Sequence, residues 1–132
     1  MSITQFYDEN DNKYVYECLI KDIEWPESLK KIKFDHDFNQ SIDNVEWPES
    51  LQTIIFENNF NQPIEKVKWP NSLKKIQFGN HFNQPIKNVI WPESLQIIIF
   101  LCDFNQPIKG IKWPLELKTL ILGDNFNHSV EL

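Results

Sequence analysis

Three histidines, two cysteines and one polar run are the groups in this 132-residue chain that could carry chemistry. A bound transition metal needs ligands converging within a few ångström, and His36, His81 and His128 stand far apart, each at a different position of the repeating pattern described below. The run Asp8-Glu9-Asn10-Asp11-Asn12-Lys13 has the composition of a calcium loop. The glycine such a loop requires at its sixth position is Lys13 here, and the glutamate of the twelfth is Leu19, so calcium is not expected. Nucleophilic or acid–base catalysis requires convergent groups, and none occur at a recognised spacing. The sequence therefore predicts no enzyme, no metal and no cofactor. All 13 cationic side chains are lysine; without arginine, the planar fork that grips carboxylate or phosphate through two bonds is missing. A net charge of -6 and a pI near 5.0 oppose nucleic-acid binding, which uses a clustered basic face.

The informative spacing is a period. Trp-Pro recurs at Trp25, Trp47, Trp69, Trp91 and Trp113, and Phe-Asn at Phe38, Phe60, Phe82, Phe104 and Phe126, both every 22 residues. A fixed period of this length marks units that cannot bury their apolar faces alone and must stack on one another. The expected division is an N-terminal cap over 1–24 and five repeats over 25–132, the last one partial. Cys18 and Cys102 then lie almost four coils apart. At the strand spacing of about 4.8 Å their Cα atoms are on the order of 18 Å apart, whereas a disulfide needs less than about 7 Å. A reducing, cytoplasmic location follows. No segment approaches the roughly 20 apolar residues of a membrane span, and the first ten residues lack the pattern of a secretion signal.

Within a repeat, apolar residues spaced by two, such as Ile54 and Phe56, predict a strand with one face buried. The predicted strands are 29–34, 51–56, 73–78, 95–100 and 117–122. Successive strands come from successive coils and pair in parallel, which demands a return path of a dozen or more residues. That path is expected to be extended: Pro63, Pro85 and Pro107 interrupt its first half, and Pro48, Pro70, Pro92 and Pro114 close it. The inward columns are those of Leu29, Ile32, Phe34, Phe38, Ile42, Val45 and Trp47. The Trp column (Trp25, Trp47, Trp69, Trp91, Trp113) is read as core rather than as a stacking platform for ligands. Asn39, Asn61, Asn83, Asn105 and Asn127 form a structural ladder that bonds buried turn backbone of their own and the next coil, with Gln40, Gln62, Gln84 and Gln106 extending it. Asn39-Gln40-Ser41 and Asn127-His128-Ser129 match a glycosylation triplet, but both belong to that ladder.

The repeat Trp-Pro-x-Ser-Leu-x-x-Ile-x-Phe, followed by Phe-Asn-Gln-Pro-Ile, resembles the FNIP repeat, a 22-residue branch of the leucine-rich repeats found in social amoebae and in giant DNA viruses of amoebae. With Trp at the repeat start and a composition poor in Arg and Ala, the chain looks most like the viral members. The resemblance covers 25–129 and implies a mainly β leucine-rich-repeat horseshoe, with the parallel sheet on its concave side and an extended convex side. It also implies a protein-binding role, with a host or viral protein as partner. Many viral members carry an F-box before the repeats. The 24 residues ahead of Trp25 are shorter than that helical module, so a ubiquitin-ligase substrate adaptor lacking its own F-box is the alternative reading.

Ahead of the repeats, Ile3–Tyr7 and Tyr14–Leu19 predict a hairpin that lids the first coil, and Tyr16, Ile20 and Ile23 align with Phe38, Ile42 and Val45 as a degenerate half coil. The outward columns of the strands run Lys31, Thr53, Lys75, Ile97, Thr119; Lys33, Ile55, Gln77, Ile99, Ile121; and Asp35, Glu57, Gly79, Leu101, Gly123. Charge dominates the first coil and apolar side chains the last two, the signature of a docking surface. The fifth coil should leave Trp113, Leu117, Leu120, Leu122 and Phe126 covered on one side only, with an unpaired strand edge. A homodimer through this C-terminal coil is expected, involving Ile97, Ile99, Leu101, Thr119, Leu120 and Ile121, with docking through the concave face as the competing geometry.

Overall fold

The computed structural model describes residues 3–8, 13–17 and 19–130. Seven strands form one sheet: β1 (Ile3–Asp8), β2 (Lys13–Glu17), β3 (Leu29–Phe34), β4 (Thr53–Phe56), β5 (Lys75–Gln77), β6 (Ile97–Ile99) and β7 (Thr119–Ile121). Their order is β2-β1-β3-β4-β5-β6-β7. From β3 onward every pairing is parallel and in register at the repeat period, Ile32 opposite Ile54, Ile54 opposite Ile76, Ile76 opposite Ile98 and Ile98 opposite Leu120. The molecule is thus a mainly β solenoid. The single helical element among the described residues is a three-residue turn, Ile20–Asp22.

Each coil closes through tight turns rather than a helix. In the third, the amides of Phe82 and Val89 donate to the carbonyls of Gly79 and Ile86, and the chain enters the next strand through Leu95 N–H to Pro92 O. The prolines explain the extended path between corners: each fixes φ and removes a donor. The strands after β3 are shorter than predicted. Only β3 fills its predicted span, since the hairpin strand β1 pairs antiparallel along it from Leu29 to Phe34. The Leu amide turns back to the Pro carbonyl in every coil, Leu29 to Pro26 at 3.3 Å, Leu51 to Pro48 at 3.1 Å and Leu73 to Pro70 at 3.2 Å, and without an antiparallel neighbour there β4 to β7 begin two residues later than predicted. Coil-to-coil bonding nevertheless continues outside the strands, with Gln52 N–H on Lys30 O and Lys74 N–H on Gln52 O.

The core is a set of ring columns. Phe34, Phe56, Phe78 and Phe100 stack at centroid distances of 5.0, 5.6 and 5.2 Å and within 9° of parallel. Phe38, Phe60, Phe82, Phe104 and Phe126 follow at 5.9 to 6.3 Å. The Trp column is spaced at 5.9 to 6.5 Å. Offset parallel rings at such distances are a favourable arrangement beyond the area they bury. Trp47, Trp69 and Trp91 are buried, while Trp25 and Trp113, in the first and last coils, are half-buried. Full burial of all five, expected from the sequence, thus holds for the inner three. Their indole Nε1 atoms are buried without a hydrogen-bond partner, so the column is held by packing and carries a polar cost.

Serine supplies a further inter-coil link. Ser50, Ser72 and Ser94 Oγ donate to the carbonyls of Leu29, Leu51 and Leu73 at 2.5 to 2.7 Å. In the fifth repeat Glu116 stands in the serine column, and Leu115 N–H instead donates to the Glu93 carboxylate at 2.9 Å.

Candidate interaction surface

The potentially reactive side chains do not converge. His36 approaches the carboxylates of Asp35 and Asp37, at 2.8 and 3.5 Å. One coil-pair farther on, His81 Nδ1 lies 2.9 Å from Asp103 Oδ2, and His128 Nε2 lies 3.1 Å from the Asn105 carbonyl. Each histidine therefore meets ordinary surface partners at its own turn. Among the described residues no cluster of three His, Cys, Asp or Glu could hold a metal ion. Cys102 is an exposed free thiol, and Cys18 lies outside the described residues, as do residues 9–12 of the polar run.

The Asn column sits on the turn that follows each strand. Asn61, Asn83, Asn105 and Asn127 N–H each donate to the Oδ1 of the Asn one coil earlier, at 2.8 to 3.0 Å. Gln62, Gln84 and Gln106 Nε2 donate to the same Oδ1 atoms and to the carbonyls beside them. Gln40 also reaches the segment before it, where its Oε1 accepts from Ile20 N–H at 3.1 Å. One expectation needs correction: these Asn residues are exposed, so the ladder ties coil to coil along a wet edge and does not satisfy a buried turn. The reason is geometric. Phe38 and its equivalents take the inward position, and the next residue of an extended chain points the opposite way.

The outward sheet columns change character along the stack. Lys33 Nζ reaches Glu57 Oε1 at 3.0 Å in the first two coils. In the fourth coil Ile97, Ile99 and Leu101 are half-buried, and in the fifth Thr119 is exposed and Ile121 is 44% exposed. Gly79 and Gly123 in the third column are not open surface. A Cβ on either would stand 1.9 Å from the carbonyl oxygen of the preceding coil, that of Glu57 or Leu101, so glycine here permits a close approach of two backbones.

The last coil is the least covered. Leu95, Ile98, Phe100 and Phe104 have no exposure, whereas their counterparts Leu117, Leu120, Leu122 and Phe126 are half-buried. On its far side β7 has no strand partner among the described residues. Two further apolar side chains, Ile90 at 82% and Leu115 at 88% exposed, stand beside the Trp-Pro turns in columns otherwise occupied by Glu, Lys or Asn. The columns of the return path were not part of the sequence expectation, although the same 22-residue register shows them. Lys66, Lys68, Lys87, Lys109 and Lys112 fall there, and all five are exposed.

The 22-residue register is that of a known repeat family. The family model of the FNIP repeat matches residues 20–59, 38–81 and 60–103 in tandem. Among solved structures, the chain is similar to CroV588 of the giant virus CroV, described as a novel circular LRR protein, with 30% identity and a TM-score of 0.47. That match covers 81% of this chain and 22% of the other, so the chain spans about a fifth of the length of CroV588. No curated protein matches the chain. The three tandem matches to one repeat model, across most of the coils just described, place the chain in the FNIP repeat family.

Proposed function

We propose that the chain is a non-enzymatic protein–protein interaction module whose docking surface is the apolar end of the solenoid: Ile97, Ile99, Leu101, Thr119, Leu120 and Ile121. The observation that carries this reading is the half-buried fifth coil: Leu117, Leu120, Leu122 and Phe126 are partly exposed, whereas the equivalent positions are buried in each of the four coils before it. A contiguous apolar patch joined to an unpaired strand edge favours stacking of another strand. Whatever stacks next occupies this surface, either a further coil of a longer chain or a second molecule. For the 132-residue chain itself we assign it to a second copy, since a two-fold axis at β7 lets one surface cover itself.

Substitution separates this reading from its competitors. Leu120→Lys with Ile121→Lys places two charges on the proposed contact and should yield monomer or aggregate in sedimentation velocity. Ile55→Lys, on the same sheet face three coils away, should leave the association intact. Equal effects of the two changes would favour docking through the whole sheet face. The reading as a ubiquitin-ligase substrate adaptor without its own F-box predicts that ligase subunits co-purify from amoebal lysate, and the present proposal predicts that none do.

A further inference from the structure

The return path carries a strip of exposed lysines that form no ion pair with a carboxylate among the described residues. Each coil offers outward positions just before its Trp-Pro pair, at the register of Asp43, Asn44 and Glu46. At the N-terminal end these columns are acidic on balance, with Asp22, Glu24, Asp43 and Glu46 against one cation, Lys21. From the second coil onward they hold Lys66, Lys68, Lys87, Lys109 and Lys112, all exposed, together with Glu65, Asn88, Ile90 and Gly110. Among the described residues none of these five has a carboxylate within ion-pair distance; the lysine–carboxylate pair at 3.0 Å joins Lys33 and Glu57 on the sheet face. The acidic residue inside the basic stretch, Glu65, is half-buried and already accepts from Asn88 N–H at 2.8 Å. Lys87 and Lys109 occupy one column in adjacent coils, about 4.8 Å apart at the backbone, where two like charges repel unless an anion lies between them.

A groove runs beside that pair. It has a volume of about 630 Å³ and is flanked by Pro85 and Pro107, with Lys87 and Lys109 on its wall. Gly110 opens it further. The residue has a φ of 77° and nothing within 4 Å of where its side chain would begin, in the column that holds Asn44, Lys66 and Asn88 in earlier coils. Proline rings give an extended peptide apolar flanks, and the lysines give it cationic partners. We propose that this strip binds an acidic, extended segment of a protein partner, with its carboxylates along Lys66, Lys87 and Lys109 and its direction set by repulsion from the acidic N-terminal columns. The inference rests on the interaction-module reading and names the chemistry of the partner. It stands out against a chain whose net charge is -6, so a local basic stripe is not the by-product of a basic protein.

The test is fluorescence anisotropy with a fluorescein-labelled dodecapeptide of alternating Glu and Ala. Saturable binding in 50 mM NaCl is expected, weakened at least tenfold in 300 mM NaCl, as charge pairing in solvent requires. Lys87→Glu with Lys109→Glu should lose at least tenfold, while Lys74→Glu with Lys118→Glu, equal in charge change but before the strands, should stay within twofold. Circular dichroism on each variant establishes that it is folded. No binding by the folded wild-type chain, or equal losses in both double variants, overturns the proposal. Tighter binding of a single-stranded oligonucleotide of equal charge also overturns it. Sedimentation keeps the two ideas apart: a wild-type chain that self-associates but does not bind the peptide contradicts the strip alone.

Discussion

Replacing Gly79 with alanine tests the coil spacing at one point. The added Cβ would stand 1.9 Å from Glu57 O and 2.3 Å from Glu57 C. A carbon–oxygen contact relaxes at about 3.3 Å, so the two backbones must part by more than ~1 Å. No flexible side chain can yield, because the obstructing atoms are main chain. The links nearest the clash are His81 N–H to Asn58 O at 3.0 Å and Asn80 Nδ2 to Asn58 Oδ1 at 3.1 Å. Losing one or both at about 0.5–1.5 kcal/mol each, on top of an overpacking cost of about 1–3 kcal/mol, gives a destabilisation of roughly 3 kcal/mol. Gly110→Ala is the control with the opposite cause. Its Cβ meets nothing within 4 Å, but the φ of 77° is strained for any residue with a side chain, at about 1–2 kcal/mol. Urea unfolding followed by tryptophan fluorescence measures both, with the slope checked for two-state behaviour. A Gly79→Ala cost below about 1 kcal/mol would mean that the coils are not in backbone contact there, and the reasoning would fail.

Other expectations follow from the same columns. Trp69→Ala removes a buried ring stacked at 6.0 Å on Trp47 and 6.5 Å on Trp91, and should cost about 3–5 kcal/mol by denaturant unfolding; a loss under about 1 kcal/mol would mean that the column faces solvent. Trp69→Phe also deletes the unpartnered indole N–H, so it should cost less than half as much as the alanine change in the same assay. Asn83→Ala removes the acceptor used by Asn105 N–H and Gln106 Nε2. Because water can reach the released donors, the loss should be about 1 kcal/mol, and Asn59→Ala, an exposed position outside the ladder, should stay under about 0.5 kcal/mol; equal values at the two positions would contradict the ladder.

The fold was legible because the repeat writes each core position five times. Trp47, Phe56 and Ile64 each recur at a fixed interval, and a stack of identical rings is the arrangement that buries all of them. The antiparallel hairpin β1–β2 was legible from two apolar runs around a polar one. What escaped the sequence was set by distances between coils. Nothing in the letters Phe-Gly-Asn shows that Gly79 meets the Glu57 carbonyl, and the late start of β4 to β7 relative to β3 depends on which strand has β1 beside it. The Asn column was read as buried because its period equals that of the core; the period gives the register of a column and not its depth. The lysine strip has the same limit: Lys87 and Lys109 keep the 22-residue interval, but the interval does not show that they share one groove wall.

The most direct test of the interaction reading is the solution mass of the wild-type 132-residue chain, measured by light scattering at tens of micromolar. The chain weighs 15.8 kDa, and a species of twice that mass, falling to monomer when Leu120 and Ile121 are both lysine, is the predicted result. A wild-type chain that stays monomeric throughout that range would contradict self-association through the fifth coil and leave its apolar surface to a different protein.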